Sequence, residues 1–98
     1  ELKINLAVAE AKSVEPKDVP INVVISEEGR YAVNDQVMLV NSIQELADKL
    51  ISLSKKNSQT SLVIISADAK TPHQFVVNVM EASRKAGLTE ITFSTKIN

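Results

Sequence analysis

Residues 61–95 read SLVIISADAKTPHQFVVNVMEASRKAGLTEITFST, and this stretch decides the fold. Ser61-Leu62-Val63-Ile64-Ile65-Ser66 is a continuous apolar run bounded by polar residues, which reads as a central strand covered on both faces. Thr71-Pro72-His73-Gln74 carries a helix start, with threonine at the N-cap, proline at N1 and glutamine at N3. Phe75, Val76, Val79, Met80, Ala82 and Ala86 supply a buried stripe at helical spacing. Arg84 and Lys85 suit the negative end of the helix dipole, and Gly87 with Leu88 fits a glycine cap and its apolar contact. Ile91-Thr92-Phe93-Ser94-Thr95 then alternates strictly, placing Ile91 and Phe93 on one face of a half-exposed or edge strand. Two strands joined by a helix in this way run parallel, with a right-handed crossover.

Upstream, Ser42-Ile43-Gln44-Glu45 is a capping box, in which the serine hydroxyl accepts from the Glu45 N–H while the glutamate reaches back. Ile43, Leu46, Ala47, Leu50, Ile51 and Leu53 follow helical spacing, and Glu45/Lys49 is a favourable i,i+4 pair. Before that helix, Ile21, Val23 and Ile25 alternate along a strand, Glu27-Glu28-Gly29 makes a turn, and Arg30-Tyr31-Ala32-Val33 resumes strand character. Asn34-Asp35 is a second turn signal, followed by a brief third strand or apolar lead-in at Val37 and Leu39. The order is β-β-(β)-α-β-α-β, an α/β (α+β) two-layer sandwich with two helices packed on a small mixed sheet. Residues 1–19, interrupted by Pro16 and followed by Pro20, read as a tether in which Leu2, Ile4 and Leu6 can form a short docking strand. Residues 20–98 read as the folded domain.

Composition excludes several functions. At 98 residues there is room for one core, and zero Cys removes disulfide frameworks, zinc fingers, iron–sulfur clusters and thiol nucleophiles. A net charge of −1 and three aromatic residues argue against nucleic-acid binding, which needs a basic face and stacking platforms. His73 is the only histidine, so a two-histidine metal site cannot form. Gly29 and Gly87 are isolated, so neither a phosphate loop nor a nucleophile elbow exists. Asp68 follows the central strand and reads as a loop carboxylate bonded to nearby backbone N–H groups. No catalytic, cofactor or metal residue is therefore assigned, and no cofactor is expected. The informative feature is the final strand, an edge open to a second copy or to an extended partner. The candidate contact residues are Leu2, Ile4, Leu6, Ile91, Thr92, Phe93, Ser94 and Thr95.

Several short motifs resemble the ExbD/TolR family of biopolymer-transport proteins: Ala67-Asp68, His73, Val76-Val77-Asn78-Val79-Met80, Ala86-Gly87 and Phe93-Ser94-Thr95. Gly29-Arg30-Tyr31-Ala32-Val33-Asn34 is similar to the family's glycine-x-tyrosine strand, while Ile4-Asn5-Leu6-Ala7 stands where members usually end an apolar segment in Leu-Pro. The resemblance implies a periplasmic domain following one inner-membrane helix that bears a proton-carrying aspartate. It implies an ExbB- or TolQ-like channel subunit and TonB or TolA as partners, with a homodimer as the working form. Proton-motive force would then drive outer-membrane import of siderophores, haem or vitamin B12, with no enzymatic step on this chain. The alternatives are a TolR-like role in envelope integrity through the Tol–Pal complex and a stand-alone small-ligand domain. Because the chain opens at Glu1 rather than Met, the expectation is an excised piece whose membrane helix precedes it.

Overall fold

The computed structural model describes residues 4–5, 19–39, 42–56 and 62–96. They form β1 (Ile4–Asn5), β2 (Ile21–Ile25), β3 (Tyr31–Val33), β4 (Gln36–Val37), α1 (Ile43–Lys56), β5 (Leu62–Ala67), α2 (His73–Lys85) and β6 (Glu90–Lys96). The strands make one six-stranded mixed sheet in the order β1-β6-β5-β2-β3-β4. β5 pairs in parallel with β2 on one side and β6 on the other, and the remaining pairs are antiparallel. The α/β sandwich read from the sequence is the observed fold, with the apolar run Leu62–Ile65 inside its central strand.

Both crossovers step in the same direction across the sheet, from β2 to β5 and from β5 to β6. Crossovers of one hand that step one way place their helices on one face. The core follows: Ile21, Val23 and Ile25 of β2, Tyr31 and Val33 of β3, and Val63 and Ile65 of β5 form a single buried cluster with Leu46, Ala47 and Leu50 of α1 and Val79 and Ala82 of α2. The expectation that the central strand is covered on both faces is corrected here. Val63 and Ile65 are buried under the helices, whereas Leu62, Ile64 and Ser66 on the opposite face are half-buried.

The ends of α1 and α2 show which local signals survive packing. Ser42 Oγ accepts from the Glu45 N–H at 3.0 Å, which forms the serine half of the capping box. Lys49 Nζ donates to Gln36 Oε1 at 2.6 Å, so the expected Glu45/Lys49 pair gives way to a contact between α1 and β4. At α2 the expected Thr71 cap is not used. Pro72 occupies the N-cap and the Thr71 hydroxyl instead donates to the Ile25 and Ser26 carbonyls at 3.3 and 3.1 Å. The Asp68 N–H also donates to Ile25 O at 3.1 Å, which ties the loop after β5 to the end of β2. The Asp68 carboxylate accepts from the Lys70 N–H at 2.9 Å, the loop role read from the sequence. The C-terminus of α2 is a Schellman motif: Leu88 N–H donates to Ser83 O at 2.9 Å, Gly87 N–H to Arg84 O at 3.0 Å, and Gly87 takes φ +82°.

The α2 stripe also differs by one residue. Met80, expected in the core, is 39% exposed, and Ser83 is fully buried in its place. Its hydroxyl donates to Val79 O at 2.8 Å, which satisfies the polar group inside the core.

The β2–β3 hairpin is clamped to α2. Gly29 has φ +89°, and a Cβ there would lie 2.5 Å from Phe75 Cζ. Next to it, the buried Tyr31 hydroxyl approaches Phe75 O at 3.5 Å. Burial pushes the Tyr31 phenol above its ordinary value of 10.0, partly offset by a hydrogen bond with the Asn78 side chain.

Two outcomes follow. Gly29→Ala combines left-handed strain with a ring clash and should destabilise the domain by about 2–4 kcal/mol in urea melts. In a Phe75→Leu background the same change should cost at least about 1 kcal/mol less, since only the backbone strain remains. Tyr31 is the sole tyrosine and there is no tryptophan, so phenolate absorbance titrates this group alone. The folded state favours the neutral phenol, so its stabilisation is fully present below the unfolded value near 10 and lost as pH rises through the folded one. The expected absorbance midpoint therefore lies above 10.0, and in Tyr31→Phe the stability lost with rising pH in that alkaline range should shrink.

Candidate functional site

Among the described residues no three or more of His, Asp and Glu gather where a metal could be held. His73 sits exposed at the first turn of α2. The groups that do come together are apolar, and they lie where α2 passes over β6.

β6 is held on one side by the whole of β5, from Leu62 opposite Glu90 to Ala67 opposite Thr95. On the other side β1 covers only its end, with Ile4 opposite Lys96 and Asn5 opposite Thr95. Alongside Ile91–Ser94 no strand lies on that outer side among the described residues. Alternate backbone N–H and C=O groups of this segment point away from β5, the geometry that accepts an added strand. Of the candidate contact residues, Ile4 is placed in β1 and Ile91, Thr92, Phe93, Ser94 and Thr95 in β6. Leu2 and Leu6 lie outside the described residues.

The parallel register assigns the faces. Ile91 stands beside the buried Val63, and Phe93 beside the buried Ile65, on the helix side of the sheet. Ile91 is half-buried there, yet Phe93 remains 51% exposed. Thr92 and Ser94 face the other way. Thr92 is exposed, whereas Ser94 is buried and its hydroxyl pairs with that of Ser66 at 2.6 Å, joining β6 to β5 through side chains as well as backbone.

Between α2 and β6 runs a groove of about 290 Å³ lined by Val77, Met80, Leu88 and Ile91, with Glu81 and Arg84 on its rim. Glu81 and Arg84 are joined by two contacts of 2.6 Å, so the rim carries no net charge from this pair. Val77 departs from the buried stripe in the sequence and is exposed here. From the sequence Met80 and Leu88 read only as core and cap residues; here both line the groove, Leu88 buried and Met80 exposed. What this arrangement offers, among the described residues, is an open strand edge able to form main-chain hydrogen bonds and an apolar surface beside it.

The chain as a whole is similar to known proteins. A family model described as "Biopolymer transport protein ExbD/TolR" matches residues 1–98. The chain is 31% identical over 88 residues to the "Biopolymer transport protein ExbD" of Neisseria gonorrhoeae, covering 90% of this chain and 60% of that protein. It is 32% identical over 82 residues to the protein of the same name from Neisseria meningitidis serogroup A, covering 84% of this chain and 56% of that protein. The chain thus spans less than two thirds of the length of these relatives.

The groove separates residues that hold the fold from residues that only face it. Leu88→Ala should cost about 2–4 kcal/mol in chemical denaturation, since it opens a cavity under the helix cap. Phe93→Ala, half in solvent already, should cost about 1 kcal/mol or less and leave the amide spectrum of the core in place.

Proposed function

The chain belongs to the ExbD/TolR family of biopolymer transport proteins, and on that footing we propose that it is the periplasmic, force-relaying domain of an inner-membrane energy-transducing complex of the ExbB–ExbD–TonB type. In this reading the full-length protein is anchored by one N-terminal helix, works as a homodimer beside an ExbB-like channel, and couples proton-motive force to TonB and outer-membrane import. The observation that carries it is the match of the whole chain to the family, together with relatives named for ExbD rather than TolR.

The geometry supports a mechanism by contact. Force passed between proteins requires a rigid body and a surface that holds a partner along its length. The core of β2, β5, α1 and α2 supplies the first, and the outer edge of β6 with the Val77–Met80–Leu88–Ile91 groove supplies the second. A partner strand laid along Ile91–Ser94 gains main-chain hydrogen bonds in register and sets every second side chain over Phe93 and the groove. A second copy can use the same edge, so dimerisation and partner binding would compete for it or share it.

Titration of the isotope-labelled domain with a peptide from the periplasmic part of TonB tests the reading. Amide shifts are expected at Ile91–Thr95 and along the α2 side of the groove, and Phe93→Ala should weaken binding by about tenfold, equivalent to about 1.4 kcal/mol. Absence of shifts at this edge removes the site. A response to a TolA peptide or to peptidoglycan in place of TonB moves the chain to the TolR branch of the family.

A further inference from the structure

The sheet has a second edge, and its chemistry differs from that of β6. In β4, Gln36 stands opposite Val33 and Val37 opposite Ala32, and the Met38 N–H donates to Tyr31 O at 2.8 Å. Gln36 and Met38 therefore turn their backbone groups toward β3, and the N–H and C=O of Val37 point off the edge of the sheet. Exposed edges are ordinarily blunted by charge, proline or a bulge. Gln36-Val37-Met38-Leu39 carries neither charge nor proline, and Val37 and Leu39 are 59% and 94% exposed.

The two faces of this edge are unlike. Val37 stands in one cross-strand row with Ala32 and Val24, on the face away from the helices. Gln36 and Met38 turn to the helix face, where Gln36 accepts from Lys49 and Met38 packs on the core. There, β4 and α1 line a groove of about 530 Å³ whose ionised groups are Glu45, Asp48 and Lys49. The Lys49 ammonium is held by Gln36 Oε1, and Asp48 Oδ1 accepts from the Gln44 amide at 2.9 Å. Two carboxylates against one ammonium leave the groove net negative, and Asp35 in the preceding turn adds a further carboxylate at the start of β4.

We propose that the β4 edge binds an extended peptide segment of alternating apolar and basic residues, added as a further strand of the sheet. The period of two in a strand dictates the pattern. Residues of the added strand on the open face meet Val37, and the residues between them face α1 and meet Glu45 and Asp48. Charge complementarity selects Lys or Arg at those positions and repels Glu or Asp. This site is separate from the β6 edge and stands or falls independently of it.

The probes are two synthetic hexapeptides, acetyl-Lys-Val-Lys-Val-Lys-Val-amide and its Glu-for-Lys counterpart, titrated into the isotope-labelled domain. The lysine peptide is expected to shift the amides of Gln36–Leu39 and Glu45–Lys49 and to leave Ile91–Ser94 in place; the glutamate peptide is expected to do neither. Asp48→Lys, an exposed position, should weaken the lysine peptide by about fivefold and raise the response to the glutamate peptide. Equal response to both peptides, or shifts centred elsewhere, overturns the proposal. So does a concentration-dependent shift of the same amides without peptide, which would assign the edge to a second copy of the chain.

Discussion

Parallel pairing of β5 with β2 on one side and β6 on the other is the constraint from which the rest of the domain follows. Parallel strands cannot be joined by a tight turn, so each junction needs a crossover, and the crossover must lie on a face of the sheet. Because the chain steps twice in the same direction, both crossover helices occupy one face and the molecule has two layers rather than three. Val63 and Ile65 are buried to 1% exposure or less by this arrangement, while their neighbours Leu62, Ile64 and Ser66 are half-buried. Among the described residues, one core, one sheet face free of helices and two strand edges are consequences of that single topology.

Contacts between the loops and the hairpin then stiffen the frame. Thr71 and Asp68 donate to carbonyls at the end of β2, so the loop entering α2 is registered against the neighbouring strand. On the far side, the ring of Phe75 fills the space that Gly29 leaves empty, and Tyr31 closes over the same turn of α2. Glycine here serves two needs at once: a positive φ and the absence of a Cβ where an aromatic ring must pass. The consequence for function is that α2 is held at both ends, by the β2 hairpin at its start and by the Leu88 cap at its finish, so the groove beside β6 has a fixed wall.

Local signals in the sequence were reliable where one element satisfied them by itself. The Ser42 cap, the Gly87 cap and the alternation of Ile21–Ile25 all describe what a short segment does with its own backbone or its own two faces. They failed where a distant group offered a better partner. Thr71 gives its hydroxyl to β2 rather than to α2, Lys49 reaches Gln36 rather than Glu45, and Ser83 enters the core while Met80 leaves it. A serine that bonds its own helix backbone behaves as a small buried residue, which no hydrophobicity pattern can register.

The candidate site divides in the same way. Sequence by itself determined the element order, the single core, the exposure of the final strand as an alternating segment and, through the short motifs around α2, the kinship to the family. It also excludes a two-histidine metal site and a thiol nucleophile among these 98 residues, which hold one histidine and no cysteine. Tertiary structure alone decided that, among the described residues, β1 pairs with only Thr95 and Lys96 of β6, that Phe93 is left half exposed, and that Val77, Met80 and Leu88 meet Ile91 across a groove. It alone decided that the uncharged edge at β4 lies beside a groove carrying two carboxylates, Glu45 and Asp48, against one ammonium, Lys49. The reason is physical: alternation along a strand fixes which side chains share a face, but strand order fixes which of those faces and edges are left uncovered.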